Sequence, residues 1–96
     1  MEWIGVATPP LTTVEQFDAV IARTGEPAGL EARWCGRTAD GELRIITVWT
    51  SKEHADRFFA EKLGPALAQV IGPEPQGPSR MLGLEVLRSW VLAPVG

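Results

Sequence analysis

A chain of 96 residues, 45% hydrophobic and 22% charged, has the balance of one small globular domain over residues 1–96 and leaves no room for a second. A net charge of −3 and an acidic pI near 5.0 argue against the phosphate attraction on which nucleic-acid binding rests. The longest apolar runs, Ile45 to Trp49 and Leu67 to Ile71, are far short of the roughly 20 residues that cross a bilayer, so no membrane partner is expected. No Lys or Arg precedes Arg23, which argues against a basic secretory start and makes the cytoplasm the expected location. The single cysteine, Cys35, has no partner for an intrachain disulfide. Aromatic usage is the unusual feature, with four Trp, three Phe and no Tyr.

Trp3 to Ala7 is a short apolar run closed by Pro9-Pro10, the pattern of a buried strand ending in a forced turn. Thr12 and Thr13 each stand three residues ahead of Glu15 or Gln16, so either can open a capping box. The helix that follows places Val14, Phe17, Val20, Ile21 and Thr24 on one face and stops at Gly25 and Pro27. Leu30 to Thr38 alternates with period two, Leu30, Ala32, Trp34 and Gly36 against Glu31, Arg33, Cys35 and Arg37. Ala39-Asp40-Gly41 offers a tight turn into the β-branched run Glu42 to Thr50, which makes a hairpin. Thr50-Ser51, with Glu53 or His54 three residues on, starts a second helix that Gly64-Pro65 interrupts near Leu63, leaving a kink or a short further helix to Ile71. Gly72 to Arg80 holds three prolines and reads as a loop; Met81 to Leu92 reads as a long strand, with Gly83 a possible bulge, and residues 93–96 as a tail. The order strand, helix, strand, strand, helix, strand is the ferredoxin-like βαββαβ plan, an α+β fold with a four-stranded antiparallel sheet.

Two helices cover one face of such a sheet, so the other face of a solitary domain should be polar. Here both faces are apolar: Leu43, Ile45 and Trp49 oppose Ile46 and Val48 on the third strand, and Leu82, Leu84, Val86, Trp90 and Leu92 oppose Met81, Leu87 and Val91 on the last. An apolar face of this extent is an association surface, and the expected partner is a second copy, giving a homodimer with two sheets face to face.

Trp49-Thr50-Ser51-Lys52-Glu53, then Phe58 and Phe59, then Leu63-Gly64-Pro65 resembles the W-x-S-x-E, F and L-x-P pattern of the dimeric α+β barrel superfamily. Within it the chain looks most like small proteins related to antibiotic-biosynthesis monooxygenases. The resemblance implies two sheets forming a dimeric barrel with helices outside and a ligand cleft between each sheet and its helices. It also implies a small aromatic or polyketide-like ligand and a cofactor-independent monooxygenase or cyclase, or else a non-catalytic binding or accessory homodimer. Trp49 matches the Trp of the quinone-forming enzymes, whose Asn and Tyr partners have no counterpart in a chain that contains neither residue.

His54, the single histidine, is a candidate general base, the role imidazole side chains most often take, although a helix-start position equally suits a capping role. Arg44 is the second candidate catalytic residue, and with Arg88 it interrupts otherwise apolar strands; a forked guanidinium there holds a carboxylate, enolate or phenolate, or simply guards an edge. Trp49, Phe58, Trp34 and Arg88 make up the candidate ligand-binding set, with core filling as the competing use of the aromatics. Cys35 shares its row with Arg33 and Arg37, which would activate a thiol, while packing as a small hydrophobe is the commoner fate. One His and one Cys far apart supply no metal site, and no Gly-rich phosphate loop occurs, so no cofactor is expected.

Overall fold

The two threonines ahead of the first helix do not share its start equally. Thr13 is the N-cap: its hydroxyl accepts from the Gln16 N–H at 3.1 Å, and Gln16 Oε1 in return accepts from the Thr13 N–H at 3.3 Å. This computed structural model describes residues 2–72 and 80–90. The proline-rich stretch 73–79 and residues 91–96 lie outside the described residues, and with them most of the expected loop and the tail.

The elements are β1 (Trp3–Thr8), α1 (Val14–Thr24), β2 (Leu30–Arg37), β3 (Leu43–Trp49), α2 (Lys52–Phe58), α3 (Gly64–Ile71) and β4 (Arg80–Glu85). They form one antiparallel sheet in the order β2-β3-β1-β4, the ferredoxin-like arrangement. Between α2 and α3 the chain makes one π-helical turn, Phe59–Leu63, in which the Gly64 N–H reaches back to the Phe59 carbonyl. Pro65 supplies the reason: it has no N–H to give and its ring crowds the preceding turn, so the helix widens by one residue and restarts.

Three sequence expectations change. Strict alternation along β2 fails at Glu31, where the register slips: Leu30 pairs with Trp49 and Ala32 with Val48. Leu30 therefore joins the helix-facing side and packs beside Trp49, instead of sharing a face with Trp34. The last strand is also shorter than expected, ending at Glu85 and not Leu92. Glu85 is opposite Trp3, and after one further bond from the Val86 N–H to the Glu2 carbonyl at 3.1 Å no described strand offers the chain a ladder. Gly83 is no bulge. It sits in regular register opposite Gly5, and a Cβ there would fall on the Trp3 indole, so the glycine makes room for that ring.

Leu43, Thr47 and Trp49 on β3 are buried under the helices. The opposite face is uncovered: Trp34, Ile46, Leu82 and Leu84 are exposed, with Ile4, Val6 and Val48 between them. The two apolar faces read from the sequence are both present, and the helices cover one of them.

Candidate functional site

The helix-facing layer is packed in two separate clusters. At one end Trp49, Ala55 and Phe58 are buried together, with Trp3, Leu30 and Phe59 against them; at the other, Leu11, Val20, Leu43 and Ala66 form a second cluster with Phe17, Cys35 and Leu67. Between them lies a cavity of about 340 Å³. Its floor is made of short side chains, Ala7 on β1 and Thr47 on β3, beside Ile45. Phe17 of α1 and Leu67 of α3 form one wall, and Phe58, Phe59 and Leu63, carried by the end of α2 and the π-turn, form the other. The widened turn thus puts consecutive residues on the cavity wall. The volume falls in the ~300–1,000 Å³ range usual for small-molecule sites, and the lining is mostly apolar.

A few polar groups reach this space. Thr47 is 8% exposed, and its Oγ1 accepts from the Trp49 indole Nε1–H at 2.9 Å. Its own hydroxyl proton has the Gly5 carbonyl at 3.5 Å as its acceptor, a long contact. Arg33 on β2 is half-buried, stands opposite Thr47 in the ladder, and makes no ion pair or hydrogen bond among the described residues. Arg80, exposed at the start of β4, also borders the cavity. None of the described wall residues is His, Asp or Glu.

The residues singled out from sequence are spread across the fold. Phe58 lines the cavity. Trp49 lies behind that wall, fully buried, its ring centroid 5.3 Å from that of Phe58 and its N–H engaged by Thr47. His54 sits in the first turn of α2, where Ser51 is the N-cap. Its Nδ1 is 2.7 Å from Ser51 Oγ and 3.2 Å from Thr50 Oγ1, and its ring packs on Gly29, whose φ of 86° and missing Cβ accommodate it. Arg44 pairs with Glu42 at 2.9 Å and donates to the Leu43 carbonyl. Trp34 is 57% exposed on the uncovered face, and Arg88 is exposed beyond β4, donating to the Leu87 carbonyl. The structure brings Phe58 and Trp49 together and leaves the other four apart from the cavity.

Cys35 packs against the second cluster, and burial, then the nearby Asp18 carboxylate, push its thiol up despite the opposing pull of Arg37. It is a packed small side chain, not an activated nucleophile. The residues that sequence reasoning passed over are Thr47 and, in a cavity role, Arg33. The available signal was a hydroxyl at an inward position of a strand reading Leu43, Ile45, Thr47, Trp49. Among the described residues no group of three metal-ligating side chains occurs, and no helix is long and apolar enough to cross a membrane.

No protein-family model matches the chain, and no curated protein matches it by sequence. Solved structures do. Rv0793 from Mycobacterium tuberculosis superposes with a TM-score of 0.68 at 22% identity, over 93% of this chain and 98% of that one. SnoaB from Streptomyces nogalater, a cofactor-independent oxygenase, gives 0.61 at 18% identity, over 92% and 93%. A dimeric ferredoxin-like protein of unknown function from Jannaschia sp. CCS1 gives 0.60 at 14% identity, over 90% and 100%. Coverage of both chains is nearly complete in each case, so the likeness is to the whole domain and to its order of elements. The chain has the ferredoxin-like α+β fold that these structures share.

Proposed function

We propose that this protein is a homodimer that binds a small, flat, largely apolar molecule in the cavity between its sheet and helices, and acts on it as a cofactor-independent monooxygenase or cyclase. The observation that carries the reading is the cavity of about 340 Å³ between the two apolar clusters, apolar on most of its wall. Aromatic side chains at Phe17, Phe58 and Phe59 suit an aromatic or polyketide-like body. The fold likeness to SnoaB adds a precedent for oxygen chemistry on this scaffold, and no more, because one fold hosts many reactions.

The dimer rests on the uncovered sheet face. Ile46, Leu82, Leu84 and Trp34 are 39%, 58%, 46% and 57% exposed, a continuous apolar surface of the kind that marks association. A second copy laid sheet to sheet buries it. Light scattering at low micromolar concentration should report roughly twice the 10.4 kDa of one chain, and a monomer there contradicts the dimer.

A second reading, a binding homodimer without catalysis, is favoured by one observation: the described wall residues include no side chain that titrates near neutral pH. A thermal-shift screen with phenolic and anthrone-like compounds, followed by oxygen uptake on those that bind, separates the two. Stabilisation with uptake of one O2 per quinone formed supports the monooxygenase. Stabilisation with neither oxygen uptake nor conversion of the bound compound supports the binder, and absence of any stabilisation sinks both.

A further inference from the structure

We propose that Thr47 and Arg33 form a two-donor anchor on the cavity floor that selects ligands ending in an anionic oxygen: a carboxylate, an enolate or a phenolate attached to a flat apolar body. The inference rests on the reading of the cavity as a ligand site and adds the chemistry that the ligand must carry.

Three observations converge. Thr47 and Arg33 are directly paired across β3 and β2, so their side chains stand on the same face of the sheet, and both border the cavity. The Thr47 hydroxyl is committed as an acceptor to the Trp49 N–H at 2.9 Å, which turns its own proton away from that bond. The Gly5 carbonyl at 3.5 Å satisfies that proton weakly, at a residue only 8% exposed. Arg33, for its part, is a permanent cation held half-buried beside apolar walls, with no ion pair or hydrogen bond among the described residues.

Two adjacent donors without a strong acceptor fit an oxygen that carries negative charge. The guanidinium supplies the charge and a forked pair of N–H groups, and the hydroxyl supplies a third, directional bond. Trp49 acts through Thr47: its indole holds the hydroxyl oxygen so that the hydroxyl hydrogen, only weakly engaged by the Gly5 carbonyl, is directed away from that bond. Trp49 is in this sense a positioning residue, and its full burial needs no direct contact with ligand.

The test compares naphthalene-2-carboxylate with 2-methylnaphthalene, two probes of nearly equal shape, by isothermal titration calorimetry on the full chain. The carboxylate should bind at least about tenfold more tightly, because it gains charge-assisted hydrogen bonds that the hydrocarbon cannot make. Arg33→Met should bring the two Kd values within about threefold of each other while leaving that of 2-methylnaphthalene within about twofold of its original value, since only the charged contact is lost. Thr47→Ser should keep the preference, and Thr47→Val should weaken it several-fold. Arg80→Met, on the same wall but exposed, should retain it. Equal affinities for the two probes in the unmodified protein overturn the anchor while leaving the cavity reading intact. A preference that survives Arg33→Met, or that Arg80→Met abolishes, also overturns it. Binding of neither probe removes the cavity reading and the anchor with it.

Discussion

The two ends of the helix-facing layer are built from the same sheet and packed to different degrees. Under α2, Trp49 fills the space between β3 and the helix, and Phe58 and Phe59 stack around it with centroids 5.3 and 6.5 Å away. Beneath α1 and α3 the strands offer Ala7 and Thr47, and the helices do not close down far enough to fill what these leave. Side-chain size on the strands accounts for much of the contrast, and the π-turn for another part, since it separates α2 from α3 at the point where the cavity opens. A small domain has little stability to spare, so a hollow kept beside a tightly packed cluster is a feature to be tested by mutation.

The largest effect should come from the packed end. Trp49→Ala should cost about 3–5 kcal/mol in urea unfolding, through lost burial and an orphaned Thr47 hydroxyl, whereas Leu67→Ala at the hollow end, half-buried already, should cost about 1–2 kcal/mol. Equal costs would erase the contrast. Gly83→Ala should follow at about 1–3 kcal/mol, because its methyl group lands on the Trp3 indole, which must move. Filling the hollow should have the opposite sign: Ala7→Ile is expected to raise stability by about 0.5–2 kcal/mol while abolishing ligand binding, and unimpaired binding in that variant would place the ligand elsewhere.

The smallest effects are electrostatic and lie at the packed end. Glu53, in the first turn of α2, is held below the usual carboxylate range by a backbone N–H and the Ser51 side chain. Its contribution is present at neutral pH and is lost as pH falls through that lowered pKa; Glu53→Gln should flatten the acid limb of the stability curve. Glu31 is pushed above the ordinary value of 4.5 by local desolvation and then by the Glu2 carboxyl bonded to it. The folded state therefore holds that proton more tightly than the unfolded one, and stability falls as pH rises through the raised pKa. Glu31→Gln should then be slightly more stable than the parent at pH 7, and a loss of stability there contradicts the sign.

Most of the architecture was legible in the residues. Capping signals at Thr13 and Ser51, the turn at Gly41 and the interruption at Gly64-Pro65 lie where local chemistry decides the backbone, and apolar or β-branched runs, with alternation along β2, identified the strands. The bulge at Glu31 was not legible, because it depends on which β3 residue faces Leu30. The end of β4 at Glu85 depends in the same way on where β1 stops pairing, a tertiary limit on a run that is apolar well beyond it. The place of the cavity was less legible. The arginines singled out from sequence were Arg44 and Arg88, whereas those that border the cavity are Arg33 and Arg80, and Arg44 is tied to Glu42 outside it. Alternation says which residues share a face, but not which of them stand over a gap in the helical layer. Only the packing of α1, α3 and the π-turn supplies that.

The central claim, that the hollow end is a ligand site, is tested most directly by methyl NMR during titration with naphthalene-2-carboxylate. The account predicts saturable shifts of the methyl groups of Ala7, Ile45, Leu63 and Leu67 around the cavity, with Ile46, Leu82 and Leu84 on the uncovered face unmoved. Shifts confined to that uncovered face, or none at all, would contradict it.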